Sequence, residues 1–259
     1  MAGEGTEPGV SYYRVRIPLN GRLQEEICER LADFEVAGIE ELADSVRVFF
    51  TSQREAGDAA RALGGSEPEV IADENWSAVW QAEWTPLSIG ERFFLCPAWV
   101  DAATPEGRIR LEMAPGNVFG GGDHPTTQLC LELLEQLARP GVLVADIGAG
   151  TGILTKAARA LGARAVGCDI DPASAKTVDF IGSADALASA QFDGVIANIH
   201  LGVLQQLRAE LRRLARPGAW LLASGFLPEQ AGAAVDLFGR PAALLERDGW
   251  CAGVFTNWE

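Results

Sequence analysis

Val142-Leu-Val-Ala-Asp146-Ile-Gly148-Ala-Gly150-Thr-Gly152 is followed by an Ala-rich run of helical character and then by Ala165-Val-Gly-Cys-Asp169-Ile-Asp171-Pro172. The stretch reads as strand, glycine turn, helix, strand, with one carboxylate near the end of each strand. Glycines at alternate positions let the backbone turn sharply and approach a ligand closely. An acidic group at the second strand tip is placed to bind ribose hydroxyls. The pattern predicts a nucleoside-cofactor site on an α/β domain.

The spacing also selects among cofactors. A dinucleotide fingerprint requires a glycine three places after its second glycine, and that position is Ile153. Asp146, immediately before the glycines, would repel a pyrophosphate but suits the ammonium and sulfonium of S-adenosylmethionine. Asp146-x-Gly148-x-Gly150-x-Gly152 resembles the first motif of class I methyltransferases.

Outward from this unit, Phe192 to Asn198 reads as a buried strand with Asn198 at its tip, and Leu204, Leu207, Leu211 and Leu214 mark the next helix, ended by Arg216-Pro217-Gly218. Trp220–Ala223 reads as a strand, Glu229–Phe238 as a helix, and Ala243–Leu245 with Cys251–Phe255 as a closing antiparallel pair. The alternation predicts a doubly wound, mostly parallel sheet with its ligand at the carboxyl ends of the strands, where Asp146, Asp169 and Asn198 meet. Upstream, Ile109–Met113 reads as the leading strand of this domain. Phe119-Gly120-Gly-Gly122-Asp-His124-Pro125-Thr126-Thr127 precedes a helix with Cys130, Leu133, Leu134 and Leu137 on its apolar face. Thr126 or Thr127 is suited to cap that helix, and free amides at its start could hold the carboxylate of the cofactor's methionine part.

The amino-terminal part has a different grammar. Tyr13, Val15 and Ile17 alternate with arginines as in a half-buried strand, and Leu23, Ile27, Leu31 and Phe34 follow at helical spacing. Strands near Ala37–Leu42 and Val46–Phe50, a helix from Arg54 to Leu63 stopped by Gly64-Gly65, and a strand at Glu69–Ala72 complete a strand-helix-strand-strand-helix-strand order. That is the ferredoxin-like order. The expected organisation is a frayed segment over residues 1–10, a ferredoxin-like α+β domain over 11–73, a linker with some strand over 74–107, and the cofactor-binding domain over 108–259. Trp76, Trp80 and Trp84, four apart, stack on one helical face as a core seam or a partner surface.

Composition narrows the partners. The net charge of −15 over 259 residues disfavours nonspecific binding to nucleic acid or an anionic membrane and is compatible with a basic protein. The five cysteines are dispersed with no Cys-x-x-Cys pair, which indicates neither a disulfide framework nor a zinc cluster and fits a reducing cytoplasm. No apolar run approaches a membrane span, nothing directs export, and no metal site is expected.

Taken together, the motifs resemble the bacterial methyltransferases that modify lysines and the amino terminus of large-subunit ribosomal protein eleven. The resemblance is carried by Glu74-Asn75-Trp76 with Trp80 and Trp84, Pro115-Gly116 and Phe119-Gly120 running into His124-Pro125-Thr126-Thr127, the glycine motif continued by Ile153-Leu154, Gly167-Cys-Asp169-Ile-Asp171-Pro172, and Ala197-Asn198-Ile199. It implies a class I domain binding S-adenosylmethionine and a small leading domain that recognises the ribosomal protein; the acidic charge adds the expectation that this substrate is met as free protein, because assembled ribosomal RNA would repel the surface. It also implies cofactor contacts at Thr127, Gly148, Asp169 and Asn198, to which the residue reading adds Asp146, Gly150 and Phe119, with Asn198 as the catalytic residue: its side-chain oxygen or the Ala197 carbonyl would accept from the substrate amine, and His124 or His200 could take the proton. Three positions depart from the family pattern. Gly121 replaces a threonine, the helix after Pro172 is cut to Ala173–Lys176 so that Asp185 is left as the acidic residue for the adenine end, and His200 replaces a leucine. These departures leave two alternatives: a lysine methyltransferase for another protein or a small amine, or a non-catalytic paralogue that binds the cofactor.

Overall fold

The computed structural model describes residues 12–21, 24–31, 34–42, 44–71, 85–113, 122–256 and 258. The chain divides into two compact units, Met1–Glu83 and Trp84–Glu259. The tryptophan seam at 76, 80 and 84 and Phe119 lie outside the described residues.

In the smaller unit β1 (Tyr12–Pro18), α1 (Gln24–Leu31), β2 (Gly38–Leu42), β3 (Ser45–Phe50), α2 (Gln53–Leu63) and β4 (Glu69–Ile71) form an antiparallel sheet in the order β2-β3-β1-β4. This is the ferredoxin-like arrangement expected from the element order. Strict alternation sends Val15 and Ile17 inward, where they meet Val46, Val48 and Phe50 from the neighbouring strand and Ile27, Leu31, Ala56 and Leu63 from the helices. On the polar face Arg16 pairs with both oxygens of Asp44 at 2.9 Å. Ser52 caps α2 by accepting from the Glu55 amide, and Gly64, at φ 73°, ends the helix in the left-handed conformation that glycine tolerates.

The larger unit opens with a three-stranded sheet. Here β5 (Leu87–Ile89) runs antiparallel to β6 (Phe93–Pro97), and β7 (Ile109–Met113) runs parallel to β6. Residues 85–107, in the stretch expected to be a linker with some strand, carry β5 and β6 and group with the larger unit, and Ile109–Met113, expected as the leading strand of the cofactor-binding domain, pairs with β6 outside the main sheet. The physical reason lies in β6, whose five residues are all buried, so the strand needs a partner on each side.

The main sheet has seven strands in the order β10-β9-β8-β11-β12-β14-β13. Its members are β8 (Leu143–Ile147), β9 (Arg164–Asp169), β10 (Phe180–Ile181), β11 (Phe192–Asn198), β12 (Ala215–Phe226), β13 (Ala243–Arg247) and β14 (Trp250–Phe255). All neighbours run parallel except β14, which is antiparallel to both β12 and β13. Helices α3 (Pro125–Leu137), α4 (Ile153–Ala160), α5 (Leu201–Leu214) and α6 (Ala231–Phe238) cover it. Ala145, Ile147, Val195, Ala197, Leu221 and Ala223 share one core with Leu204, Leu211 and Leu214 of α5 and Phe238 of α6. Residues alternating with them face α3 and α4, which pack on β11 to β14 and on β8 and β9 respectively. Between β9 and β10 the chain makes a single 3₁₀ turn, Pro172–Lys176, capped by the Asp171 carboxylate, which accepts from the Ala173 amide at 2.9 Å.

Candidate functional site

The carboxyl ends of β8, β9 and β11 open on one cavity of about 470 Å³, a size suited to a small ligand or cofactor. Its floor is the glycine turn. Gly148, Gly150 and Gly152 all have positive φ, at 71°, 52° and 68°, so side chains are disfavoured at each. The Gly148 and Ala149 amides both donate to the Cys168 carbonyl at 3.0 Å, which ties the turn to β9. A Cβ on Gly148 would come within 2.7 Å of the Ile199 side chain, and one on Gly152 would run into the Thr177 carbonyl.

Asp169 ends β9 and lines the cavity. Its Oδ2 accepts from the Gly150 amide at 2.8 Å and its Oδ1 from the Asp171 amide at 2.9 Å. Two backbone donors fix the carboxylate plane, and a carboxylate has lone pairs left over for two further donors. A pair of vicinal hydroxyls matches that capacity.

Asp146 behaves differently from its expected role at the cofactor's cationic end. It is 1% exposed and is not one of the cavity-lining residues. Its Oδ2 accepts from the Thr155 hydroxyl at 2.6 Å, and Gly167 leaves room for that pair, because a side chain there would strike the Thr155 hydroxyl. Burial pushes its pKa up to about 6, against the lowering effect of the Thr155 bond. The neighbouring Asp169 charge acts in the same direction as burial.

At the other end of the cavity the helix cap is not one of the threonines expected in that role. The N-cap of α3 is His124, whose Nδ1 accepts from the Thr126 amide at 3.3 Å and lies 2.7 Å from the Thr126 hydroxyl. The His124 carbonyl accepts from the Thr127 and Gln128 amides at 3.0 and 3.2 Å, and Pro125 has no amide to offer. The first turn therefore has no free amides for a carboxylate, contrary to the expectation. A sequence signal for this existed: proline favours the first helical position and forces the residue before it into extended geometry, which is an N-cap's geometry. Thr126 lines the cavity, whereas Thr127 is 1% exposed and is not among the lining residues.

Asn198 ends β11 on the same cavity. Its Nδ2 donates to the Thr127 Oγ1 at 3.4 Å, so Thr127 acts by orienting this amide. That leaves the Asn198 Oδ1 buried and without a partner, an acceptor whose desolvation goes uncompensated until a donor arrives. His124 and His200 both line the cavity. Burial holds the His124 pKa below its ordinary value and the nearby His200 adds to the effect, opposed by Asp123. With Nδ1 engaged inside the helix turn, His124 serves as the cap of α3.

Several lining residues were not singled out in the sequence. Trp250 comes from the far side of the sheet, its ring edge-on to His124 with centroids 5.0 Å apart. The Asp248-Gly249 dipeptide before it, both at positive φ, is a legible hairpin turn, but nothing local says that the hairpin reaches α3. It does so through Arg247, which bonds Glu132 at 2.9 Å and Gln128 at 3.2 Å. Ile170, 75% exposed, and the serines Ser174 and Ser183 line the end nearest Asp169. Asp185, the residue left for the adenine end, is exposed and is not among the lining residues. Among the described residues, no cluster of three or more His, Cys, Asp or Glu could hold a metal ion, and no helix is long and apolar enough to cross a membrane.

This geometry coincides with a family match. A family model described as Ribosomal protein L11 methyltransferase (PrmA) matches residues 45–256. The chain belongs to this family. Among L11 methyltransferases, that of Geobacter sulfurreducens is 37% identical over 260 residues, covering 88% of this chain and 87% of its own. That of Synechococcus elongatus is 38% identical over 203 residues, 70% of this chain and 65% of its own, so the match spans a little under two thirds of that relative. The crystal structure of a ribosomal protein L11 methylase from Lactobacillus delbrueckii subsp. bulgaricus shares the fold, with a TM-score of 0.59 and 24% identity, over 68% of this chain and 100% of that one. In this L11 methyltransferase family member the cavity lining brings together Gly148, Gly150, Asp169 and Asn198 and does not include Asp146 or Thr127.

Proposed function

We propose that this chain transfers methyl groups from S-adenosylmethionine to amines, lysine or amino-terminal, of the free large-subunit ribosomal protein L11. The observation that carries the reading is the pairing of two prepared acceptors across one cavity, Asp169 at one end and the orphaned Asn198 oxygen at the other. The residues present fit the cofactor. Asp169 retains the lone pairs that two ribose hydroxyls require, and the glycine turn is free of side chains that would hold a nucleoside away. Among the described residues the lining contains Asp169 and Asp171 and no lysine or arginine, which favours a cation over a phosphate.

When bound, S-adenosylmethionine supplies an electrophilic methyl group; the chain's residues align and desolvate the acceptor. A free lysine titrates at about 10.4, so its neutral, nucleophilic form must be favoured by burial and by an acceptor for its N–H. The Asn198 oxygen provides that acceptor at a β-strand tip, fixed by the Thr127 bond. Orientation of this kind is the main catalytic resource of a displacement that needs no strong base. The ferredoxin-like domain, residues 11–73, is assigned to recognition of the protein, in the cytoplasm, and the acidic surface to attraction of a basic substrate.

Label transfer from radiolabelled S-adenosylmethionine to recombinant L11, with mass spectrometry of the product, tests this. Incorporation into L11 amines is expected; label that goes only to other lysate components overturns the substrate, and no label anywhere overturns the enzyme. Asn198→Ala is expected to retain measurable cofactor binding by calorimetry and to lose most transfer, at least about tenfold. Wild-type turnover in that variant would remove Asn198 from the mechanism.

A further inference from the structure

We propose that the Ser174 hydroxyl is a binding contact for the nucleoside half of the cofactor, an inference that rests on the function proposed above. Ser174 is 0% exposed, lines the cavity, and its Oγ has no hydrogen-bond partner. Its backbone is fully engaged. The Ser174 amide donates to the Asp171 carbonyl at 3.0 Å, and its carbonyl accepts from the Thr177 amide at 2.9 Å and the Thr177 hydroxyl at 2.8 Å. The same Thr177 hydroxyl lies 2.6 Å from the Gly150 carbonyl, which clamps the 3₁₀ turn onto the glycine turn. The one idle group of this cavity-lining residue is therefore its buried hydroxyl.

Packing does not explain the serine. Alanine places the same Cβ without a buried polar atom, and an unpartnered buried hydroxyl destabilises the empty protein. The cost is offset when a ligand supplies the missing partner. Which part of the ligand does so follows from the layout: Ser174 shares the Asp169 end of the cavity with Ile170, Gly182 and Ser183, while Thr126, Asn198 and Trp250 form the other end. The Gly182 amide donates to the Asp169 carbonyl at 2.8 Å, which holds that wall against the strand bearing the ribose acceptor. With Asp185 pointing elsewhere, the side-chain hydrogen-bonding groups next to Asp169 and Asp171 on this wall are the neutral hydroxyls of Ser174 and Ser183. A hydroxyl both donates and accepts, which suits the mixed edge of a nucleoside and adds no further charge.

The experiment compares wild type and Ser174→Ala in calorimetric binding of S-adenosylhomocysteine and of 5′-methylthioadenosine, which keeps the nucleoside and lacks the amino acid, and in melting of the ligand-free protein. Affinity for both compounds is expected to fall by a similar factor, about 3- to 10-fold, as for loss of one neutral hydrogen bond. The ligand-free melting temperature is expected to hold or rise. An unchanged affinity for methylthioadenosine in a wild type that binds it overturns the Ser174 contact alone. A lowered ligand-free melting temperature also overturns it, because Ser174 would then be structural. Failure of the wild type to bind either compound overturns the function reading and this inference with it.

Discussion

Asp146 shows how far one residue's chemistry depends on what surrounds it. In the unfolded chain its carboxyl titrates near the usual 3.9; in the fold, burial raises it to about 6 against the lowering effect of the Thr155 hydroxyl bond. Between those two values the folded state holds a proton that the unfolded state has released, so stability falls as pH rises from about 4 to about 6. The whole penalty, about 3 kcal/mol, is in force above that range. Asp146→Asn removes the titration, and urea unfolding at a series of pH values is expected to show a shallower decline across that window than wild type. Identical slopes would mean the carboxyl does not carry this linkage. The motif reading recognised Asp146 and Asp169 as a pair, correctly for the strand tips. Only neighbours distant in sequence decide that one carboxylate is exposed to the cavity and the other is sealed behind it. Thr127 illustrates the same limit, since its importance passes through Asn198, 71 residues away.

At the scale of elements, the glycine turns are where geometry is least forgiving. Gly225, near the end of β12, has φ 92° and lines the cavity, and a Cβ there would strike the Ile199 carbonyl. Gly225→Ala must push the Ile199–His200 backbone away, and Asn198 with it. Methyl transfer is expected to fall by about tenfold or more, since small displacements of reacting groups are costly, while binding of 5′-methylthioadenosine at the Asp169 end changes less than about threefold. Equal losses in the two measurements would show that the ends of the cavity are not independent. The elements themselves were largely legible: apolar periodicity and turn residues gave the alternation of strands and helices and the ferredoxin-like order. Partnership was less legible. β7 has the composition of a main-sheet strand and pairs elsewhere because β6 is buried on both sides, and the cap of α3 was overlooked because threonine is a better intrinsic cap than histidine.

For the molecule as a whole, the charge of −15 should be felt in association more than in chemistry. Raising ionic strength from about 50 mM to about 300 mM shortens the screening length about 2.4-fold. The KM for a basic protein acceptor is therefore expected to rise several-fold while kcat stays nearly constant. Steady-state kinetics across a salt series checks this, and a KM that does not change would remove electrostatic attraction from the account of substrate choice.

The position of β14 bears on when the main sheet becomes complete. β14 is made after β13 but lies between β12 and β13, pairing with Leu221–Phe226 on one side and Ala243–Arg247 on the other. During synthesis, β12 therefore presents an unsatisfied edge, and β13 has no place in the sheet, until residues 250–255 emerge. The wall carrying Trp250 arrives with them. A nascent chain can thus form its glycine turn early yet cannot close its cavity before residues 250–255 have left the ribosome, so an exposed sheet edge persists until then and is the point at which chaperone dependence would arise.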